Sequence, residues 1–512
     1  MLSRRGTRQL FPLVIVAMLA VTGCATTLDH NATITAGGTV STRTGQQVHR
    51  IHTSARPRAA ARKGGSSRVS TRPSGRAGGG TAHFATAPAL GPNPGRGRNS
   101  PAGGGAVGTK PAPAIKYSQG ITPTTIKIGA FVASYEGLEA KGLNLGDAKA
   151  QAQAVATYIN QHGGIAGRKV ILTFATMQAT SSNWEADEQK ICTQFTEDDH
   201  VFAVVYSLIS MGKALLPCLA QHNTPLIAAG GGPGDAQVMQ QYANDYFYTG
   251  GMDLTRFAQT YVDHLATQGF FDSGAKIGLV RADDASFGRA SAALSSALAQ
   301  HGEHLTKEVV VDAQTSVSGT ASQMPNAVLK MEQAGVNRVL FLDNATLAVL
   351  FAIQAASQSY YPRYGLSSLD APATLMEPNV PARALAGSLG VGWIPTLDVS
   401  AAHDVALNAP QKLCQQIMLS AGQGNVSRAG QNQQRLYCDG LFFLQRALAN
   451  ATALTPEGLR TQLERLGTSY TSVMTFGTRF GPGRHDGADV VRNMAYSTGC
   501  SCFQYVGRPS SA

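Results

Sequence analysis

Seven cysteines, twelve histidines and a thin scatter of carboxylates are the groups in this 512-residue chain whose chemistry reaches beyond packing. Six of the cysteines, Cys192, Cys218, Cys414, Cys438, Cys500 and Cys502, form an even set, which in an exported chain points to disulfides. Several connectivities are open. The sequence-local pairing Cys192–Cys218, Cys414–Cys438 and Cys500–Cys502 is the expected one, although the last closes a very small ring. A metal centre needs a Cys/His cluster at ligand spacing. The nearest candidate, His301-Gly302-Glu303-His304, stands where a helix ends and reads as solvated surface, so no metal and no cofactor is expected. A hydrolytic site needs a nucleophile with a base, or a metal set. No Gly-x-Ser-x-Gly, His-Glu-x-x-His or phosphate-binding Gly-rich loop is present, and Asp283 and Asp284, being adjacent, do not converge on one substrate bond. The chain reads as a binding protein rather than an enzyme.

The net charge of +11 has to be divided before it means anything. Residues 1–115 hold 15 Lys/Arg against the single acid Asp29, a surplus of +14, whereas the remainder holds 27 against 30, a balance of −3. The body therefore lacks the positive surplus that nucleic-acid binding requires. The one strongly apolar run, Leu10 to Val21, is about 12 residues, short of the roughly 20 that span a bilayer.

The leader has its own chemistry. Arg4, Arg5 and Arg8 precede the apolar stretch Leu10 to Leu19, the layout of an export signal. Val21-Thr22-Gly23-Cys24 then resembles the lipobox of bacterial lipoproteins, in which small residues precede a cysteine that is acylated before cleavage. The resemblance implies a signal peptide over 1–24, lipidation at Cys24, and a protein anchored by lipid outside the cytoplasm. Residues 25–115 are Gly, Ala, Thr, Ser, Pro and Arg with one aromatic, Phe84. Such a segment buries too little apolar surface to offset its ordering entropy. It is expected to be a disordered tether reaching on the order of 50 Å, with adhesion to anionic lipid or wall polymer as the alternative role for its basic residues.

From Thr125 the pattern alternates. β-type runs at 125–132, 169–175, 201–206 and 225–229 are separated by helical stretches at 146–160, 183–195 and 213–222. A second series follows Tyr246 to Gly250, with runs at 276–280, 308–311, 338–342 and 363–368 between helices at 254–268, 286–300, 322–335 and 347–357. A run at 387–393 and helices at 403–420, 435–450 and 456–466 complete the body. Short apolar runs separated by helices of about 10–15 residues indicate βαβ units around buried parallel sheets. The fold class is thus α/β, with two doubly wound parallel-sheet lobes.

Specific segments carry a family likeness. Ile126-Lys127-Ile128-Gly129 leading into a long Ala-rich helix, the element Ile159-Asn-Gln-His-Gly-Gly-Ile-Ala-Gly-Arg-Lys-Val170, and Lys276-Ile-Gly-Leu-Val-Arg-Ala-Asp-Asp-Ala-Ser-Phe-Gly288 together resemble the type I periplasmic binding proteins. The likeness is to the branch of leucine/isoleucine/valine- and amide-binding components of ABC transporters, and it covers about residues 122–507. The Cys192–Cys218 spacing resembles a disulfide of that branch. The resemblance implies two lobes joined by a three-strand hinge, crossed near Thr249, Val391 and Val473. Lobe one is then 124–249 plus 391–472, and lobe two is 250–390 plus 473–507. It also implies a monomer that closes on a small-molecule solute and hands it to ABC permease subunits in the membrane.

In open α/β sheets, ligands sit beyond the carboxyl ends of the strands, where helix N-termini attract anionic groups. The candidate ligand-binding residues are therefore Ser134, Tyr135, Ser207, Ser210, Gly230 and Gly231 in lobe one, and Asp284, Phe287, Asp343, Asn344 and Asp370 in lobe two. Hydroxyls and backbone N–H groups would hold a carboxylate, an aromatic would wall the solute, and an acid would take an ammonium group. Each has a structural alternative: Gly230-Gly-Gly-Pro233 as a turn, Asp343 and Asn344 as helix caps, Phe287 as core, Asp370 as a turn residue. Compared with the amino-acid-binding branch, Leu208-Ile-Ser-Met-Gly212 and Gly230-Gly-Gly232 carry few hydroxyls, and Phe287 replaces a Tyr. These departures leave room for a more apolar or larger solute, while the expected solute is small and polar or amphipathic, amino-acid-like or related. A ligand-sensing receptor lipoprotein signalling through a membrane kinase, and a degenerate scaffold without transport, are the alternatives that the sequence leaves open.

Overall fold

The computed structural model describes residues 116–134, 144–179, 181–207, 213–231, 234–313, 316–343 and 345–512. The expected export signal, the expected lipidation site Cys24, the expected tether, and the site candidates Tyr135, Ser210 and Asn344 lie outside the described residues. The first sheet pairs β2 (Thr125–Ser134), β3 (Lys169–Gln178), β4 (Ala203–Tyr206), β5 (Leu226–Ala228) and β6 (Tyr246–Tyr248) in the order β3-β2-β4-β5-β6, every ladder parallel. A two-residue parallel ladder, β1 (Lys116–Tyr117) with β12 (Ala453–Leu454), lies apart from it.

The strand period of two decides which core each side chain enters. Ile126, Ile128, Ala130 and Val132 of β2 pack on one face against α1 (Ala148–Gln161), α9 (Ala409–Ser420), α10 (Arg428–Leu448) and α11 (Pro456–Leu466). Phe131 and Ala133 pack on the other, against α2 (Trp184–Thr193) and α3 (Leu215–Gln221). The chain can turn back from α1 because Gly164 stands at φ +73, where a Cβ would lie 2.0 Å from the carbonyl oxygen of Arg168. The helices start where short polar residues cap them: Asp147 accepts from the N–H groups of Lys149 and Ala150, and Ser427 from that of Gly430.

The second sheet runs β14-β13-β11-β10-β9-β7-β8. Its parallel part is β7 (Ile277–Ala282), β8 (Leu305–Val311), β9 (Arg338–Leu342), β10 (Arg363–Ser367) and β11 (Leu389–Gly392). Helices α5 (Leu254–Thr267), α6 (Ala285–Gln300), α7 (Val317–Gln333) and α8 (Ala345–Ser357) supply its core. The α/β class with parallel-sheet lobes is as expected. One edge is not parallel, since β13 (Val490–Ser497) and β14 (Cys502–Ser511) form an antiparallel hairpin that the sequence reading missed. The turn-rich segment 475–486, expected to pack with lobe two, reaches the first sheet instead: Tyr248 N–H donates to His485 O (3.0 Å), Gly487 N–H donates to Tyr248 O (2.8 Å), and Phe480 enters the first-sheet core.

All three sequence-local disulfides are formed, Cys192–Cys218 between α2 and α3, Cys414–Cys438 between α9 and α10, and Cys500–Cys502 across the β13–β14 turn. Among the described residues no helix is long and apolar enough to cross a membrane.

Candidate functional site

The carboxyl ends of the first-sheet strands bring Ser134, Ser207, Gly230 and Gly231 to one edge. Ser207 is buried, and its hydroxyl is already engaged: it donates to Phe131 O at 2.6 Å, and Tyr437 Oη lies 3.0 Å away. Tyr437 belongs to α10, so this pair fastens the helix to the ends of β2 and β4. Gly230 packs against α10, where a Cβ would stand 2.3 Å from Leu436 Cδ2 and would have to push that side chain aside. The entry to α3 is fixed by Glu188, fully buried on α2, whose Oε2 accepts from the N–H groups of Ala214 and Leu215 (3.0 and 3.1 Å).

At the corresponding edge of the second sheet, Asp284 caps α6 by accepting from Ser286 N–H (2.8 Å), and Phe287 is a core residue. Asp343 is buried at the end of β9. Asp370 is buried too: its Oδ2 accepts from the N–H and hydroxyl of Ser367 (2.6 and 2.9 Å) in a capping box. Burial pushes its carboxyl up to about 7, against those hydrogen bonds. A second buried acid stands beside it. Asp398 accepts from Ser368 Oγ (2.7 Å) and Tyr505 Oη (2.8 Å) and is also pushed up to about 7 by burial.

The two edges face each other. Lys213, entering α3, donates from Nζ to Asp283 O after β7 at 2.9 Å. Asp235, the N-cap of α4 (Ala236–Gln241), is paired through both carboxylate oxygens with Arg289 of α6. Asp235 is buried and Arg289 is about one-third exposed (side-chain exposures 2% and 38%). Removing the partly solvated guanidinium, Arg289→Ala, is expected to cost about 1 kcal/mol. A solution-scattering radius that grows in the unliganded protein would show that this pair holds the halves together.

Helix α10 links all the passages between the sheets. Its Asp439, fully buried, accepts from Thr249 Oγ1 (2.6 Å) after β6, and from Tyr470 Oη (2.7 Å) and Val473 N–H (2.7 Å) after α11. Its Asn432 accepts from Thr396 Oγ1 (2.7 Å), and its Arg428 donates to Pro395 O (2.9 Å), Val399 O (3.1 Å) and Asp404, all in the passage that follows β11. Between these contacts sits Arg435, only 8% exposed, whose Nη1 has no hydrogen-bond partner among the described residues. Burial, with Arg428 nearby, pulls its guanidinium down to about 10, while Asp404 and Tyr505 act in the opposite sense. A buried guanidinium nitrogen without a hydrogen-bond partner is costly. Sequence reasoning missed Arg435 by placing it at the first turn of a helix. The available signal was the run Gln431-Asn-Gln-Gln-Arg435 leading into Leu436 and Tyr437, too polar for a helix that the rest of the chain covers.

The periplasmic binding protein family profile matches residues 125–496. Among solved structures the chain is similar to a substrate-binding protein of an ABC transporter from Desulfitobacterium hafniense in complex with Leu (16% identity, TM-score 0.50, covering 75% of this chain and 100% of that one). It is similar to a solute-binding protein from Rhodopseudomonas palustris BisB5 in complex with 3,4-dihydroxybenzoic acid (14%, 0.55, 76% and 98%). A fatty acid ABC transporter substrate-binding protein from Thermomonospora curvata also matches (17%, 0.55, 78% and 95%). No curated protein matches the chain at the level of sequence. At these identities the structures speak to the fold, while the profile spans both sheets and the segments between them: the chain belongs to the periplasmic binding protein family, a family of solute-binding proteins.

Proposed function

We propose that this protein is the extracytoplasmic, lipid-anchored solute-binding component of an ABC importer. Its lobes, one built on the first sheet and one on the second, close on a small solute that carries a carboxylate. The observation that carries the reading is the meeting of the two strand-end edges, bridged by the Lys213 Nζ to Asp283 O hydrogen bond. A solute between those edges touches both halves, and its binding energy is available only when they are together. Arg435 supports the carboxylate, as a mostly buried guanidinium whose Nη1 has no hydrogen-bond partner among the described residues. Leucine, dihydroxybenzoic acid and fatty acids, the compounds named for the similar structures, all bear that group. Cys24 would hold the assembly at the membrane and the tether would give it reach to the permease.

The test is a thermal-shift panel of amino acids, aromatic acids and short fatty acids beside their amides. A bound acid at 100 times its Kd adds about 2.7 kcal/mol by mass action, so a positive hit is a clear rise in Tm that the matching amide does not give. Arg435→Met is expected to lose about ten- to a hundredfold of that affinity. A panel with no shift, or amides that bind as well as acids, would remove the carboxylate reading.

A further inference from the structure

Two donors of the β13–β14 turn meet a third from about 100 residues earlier in the chain. Cys500 and Cys502 flank the turn as a disulfide, and His403 ends the short 3-10 turn Ala401–His403 in the passage between β11 and α9. The two sulfurs and an imidazole nitrogen all lie within 4.8 Å of one another. A fourth polar side chain closes the group: Gln504 Nε2 is 3.2 Å from Cys500 Sγ, 3.8 Å from Cys502 Sγ and 3.4 Å from His403 Nε2. A half-turn of that amide would present its oxygen instead.

The disulfide here is also the accessible one. Cys500 is exposed and Cys502 is buried behind it, whereas Cys192, Cys414 and Cys438 are buried in the two faces of the first lobe and Cys218 is half-buried. An attacking thiolate needs access to a sulfur, so this bridge opens before the others. Ser501 between the cysteines is held at φ +54, a left-handed conformation unfavourable for serine, and opening the ring releases it.

We propose that Cys500, Cys502 and His403 form a redox-gated site for a soft, thiophilic cation of the zinc(II) or copper(I) class. Closed, the site holds no ion. Opening takes two electrons and two protons from a dithiol reductant, whose own sulfurs leave joined as a disulfide. The cation then displaces the two thiol protons to solvent and binds two thiolates and the imidazole, with Gln504 or water in the remaining position. Thiolate and imidazole together select soft metals over calcium or magnesium. Zinc–sulfur and zinc–nitrogen bonds of about 2.3 and 2.0 Å place tetrahedral ligands about 3.5 Å apart, a spacing these side chains reach by rotation once the sulfurs are free.

The experiment uses the full chain, opened with a dithiol that is then removed, with alkylation and mass spectrometry counting two newly freed thiols, at Cys500 and Cys502, apart from Cys24. Cadmium(II) is the probe, followed by its thiolate charge-transfer absorption. One ion per reduced chain, none per oxidised chain, none in the Cys500→Ser/Cys502→Ser variant, and at least tenfold weaker binding in His403→Ala are the expected results. His403→Gln, which keeps a polar side chain of similar size, serves the same purpose where the alanine variant melts early. Reduced protein that binds no cadmium, oxidised protein that binds it equally, or both histidine variants binding with unchanged affinity would overturn the proposal.

Discussion

Replacing Asp439 with alanine is expected to lower the unfolding free energy by roughly 3–5 kcal/mol, the cost of breaking a buried polar knot from one side. The carboxylate has no exposure to water, and the groups it serves come from separate stretches: the Thr249 hydroxyl, the Tyr470 hydroxyl and the Val473 N–H. Alanine would strand at least three donors in an interior where each costs about 1–3 kcal/mol unpaired, less whatever water enters the gap. Burial pushes this carboxyl above its ordinary value, and the hydrogen bonds from Thr249, Tyr470, Ser472 and Val473 pull it back. Asp439→Asn keeps an acceptor for Tyr470 and Val473, and the Thr249 hydroxyl can turn to accept from the new amide, so its loss should be intermediate. Urea denaturation followed by fluorescence gives both values; a loss under about 1 kcal/mol for alanine would mean that the passages are held by something else.

The second large effect is a pH dependence opposite to ordinary acid denaturation. Asp370 and Asp398 sit near 3.8 in the unfolded chain and are pushed up to about 7 by burial in the folded one. Below about pH 4 both states hold the proton, and the stabilisation from these groups is fully present. Between about 4 and 7 the folded protein keeps protons that the unfolded chain has released, so stability falls as pH rises, by up to about 1.4 kcal/mol per pH unit for each carboxyl. Above about 7 that contribution is gone. Asp398→Asn mimics the protonated acid: its carbonyl can accept from Ser368, and its amide can donate to Tyr505. Unfolding free energies of the wild type and this variant at pH 5, 6 and 7 should therefore diverge, the variant showing the shallower decline. Parallel lines would mean that Asp398 titrates in its ordinary range.

Much of the architecture is legible because the parallel strands are buried on both faces and the helices between them are ordinary. Arg338–Leu342 and Pro456–Leu466 have the bounds expected from apolar runs and a Thr-Pro start. Two regions are not legible, for different reasons. Val490–Ser497 alternates as a half-buried strand should, but it follows a Gly-rich turn and carries Arg492 and Asn493, which dilute the apolar signal. The first two turns of Arg428–Leu448 are rich in Gln, Asn and Arg, yet Gly430 and Asn432 to Arg435 are buried, which so polar a run does not announce. For the site candidates, strand-end reasoning places Ser207 just after β4 and Asp370 just after β10, where they lie, yet it cannot tell that Ser207 is spoken for by Phe131 and Tyr437, or that Asp370 closes its own turn. The unpaired Nη1 of Arg435 is likewise a property of the packing and not of local sequence.

The contacts of α10 limit how the protein can move. One helix grips the chain after β6 and after α11 through Asp439, and after β11 through Arg428 and Asn432. Three ropes knotted to one post allow swinging but resist sliding and twisting. Opening should then follow a single swivel axis alongside that helix, and solutes of different size should stop the swing at different angles along the same arc.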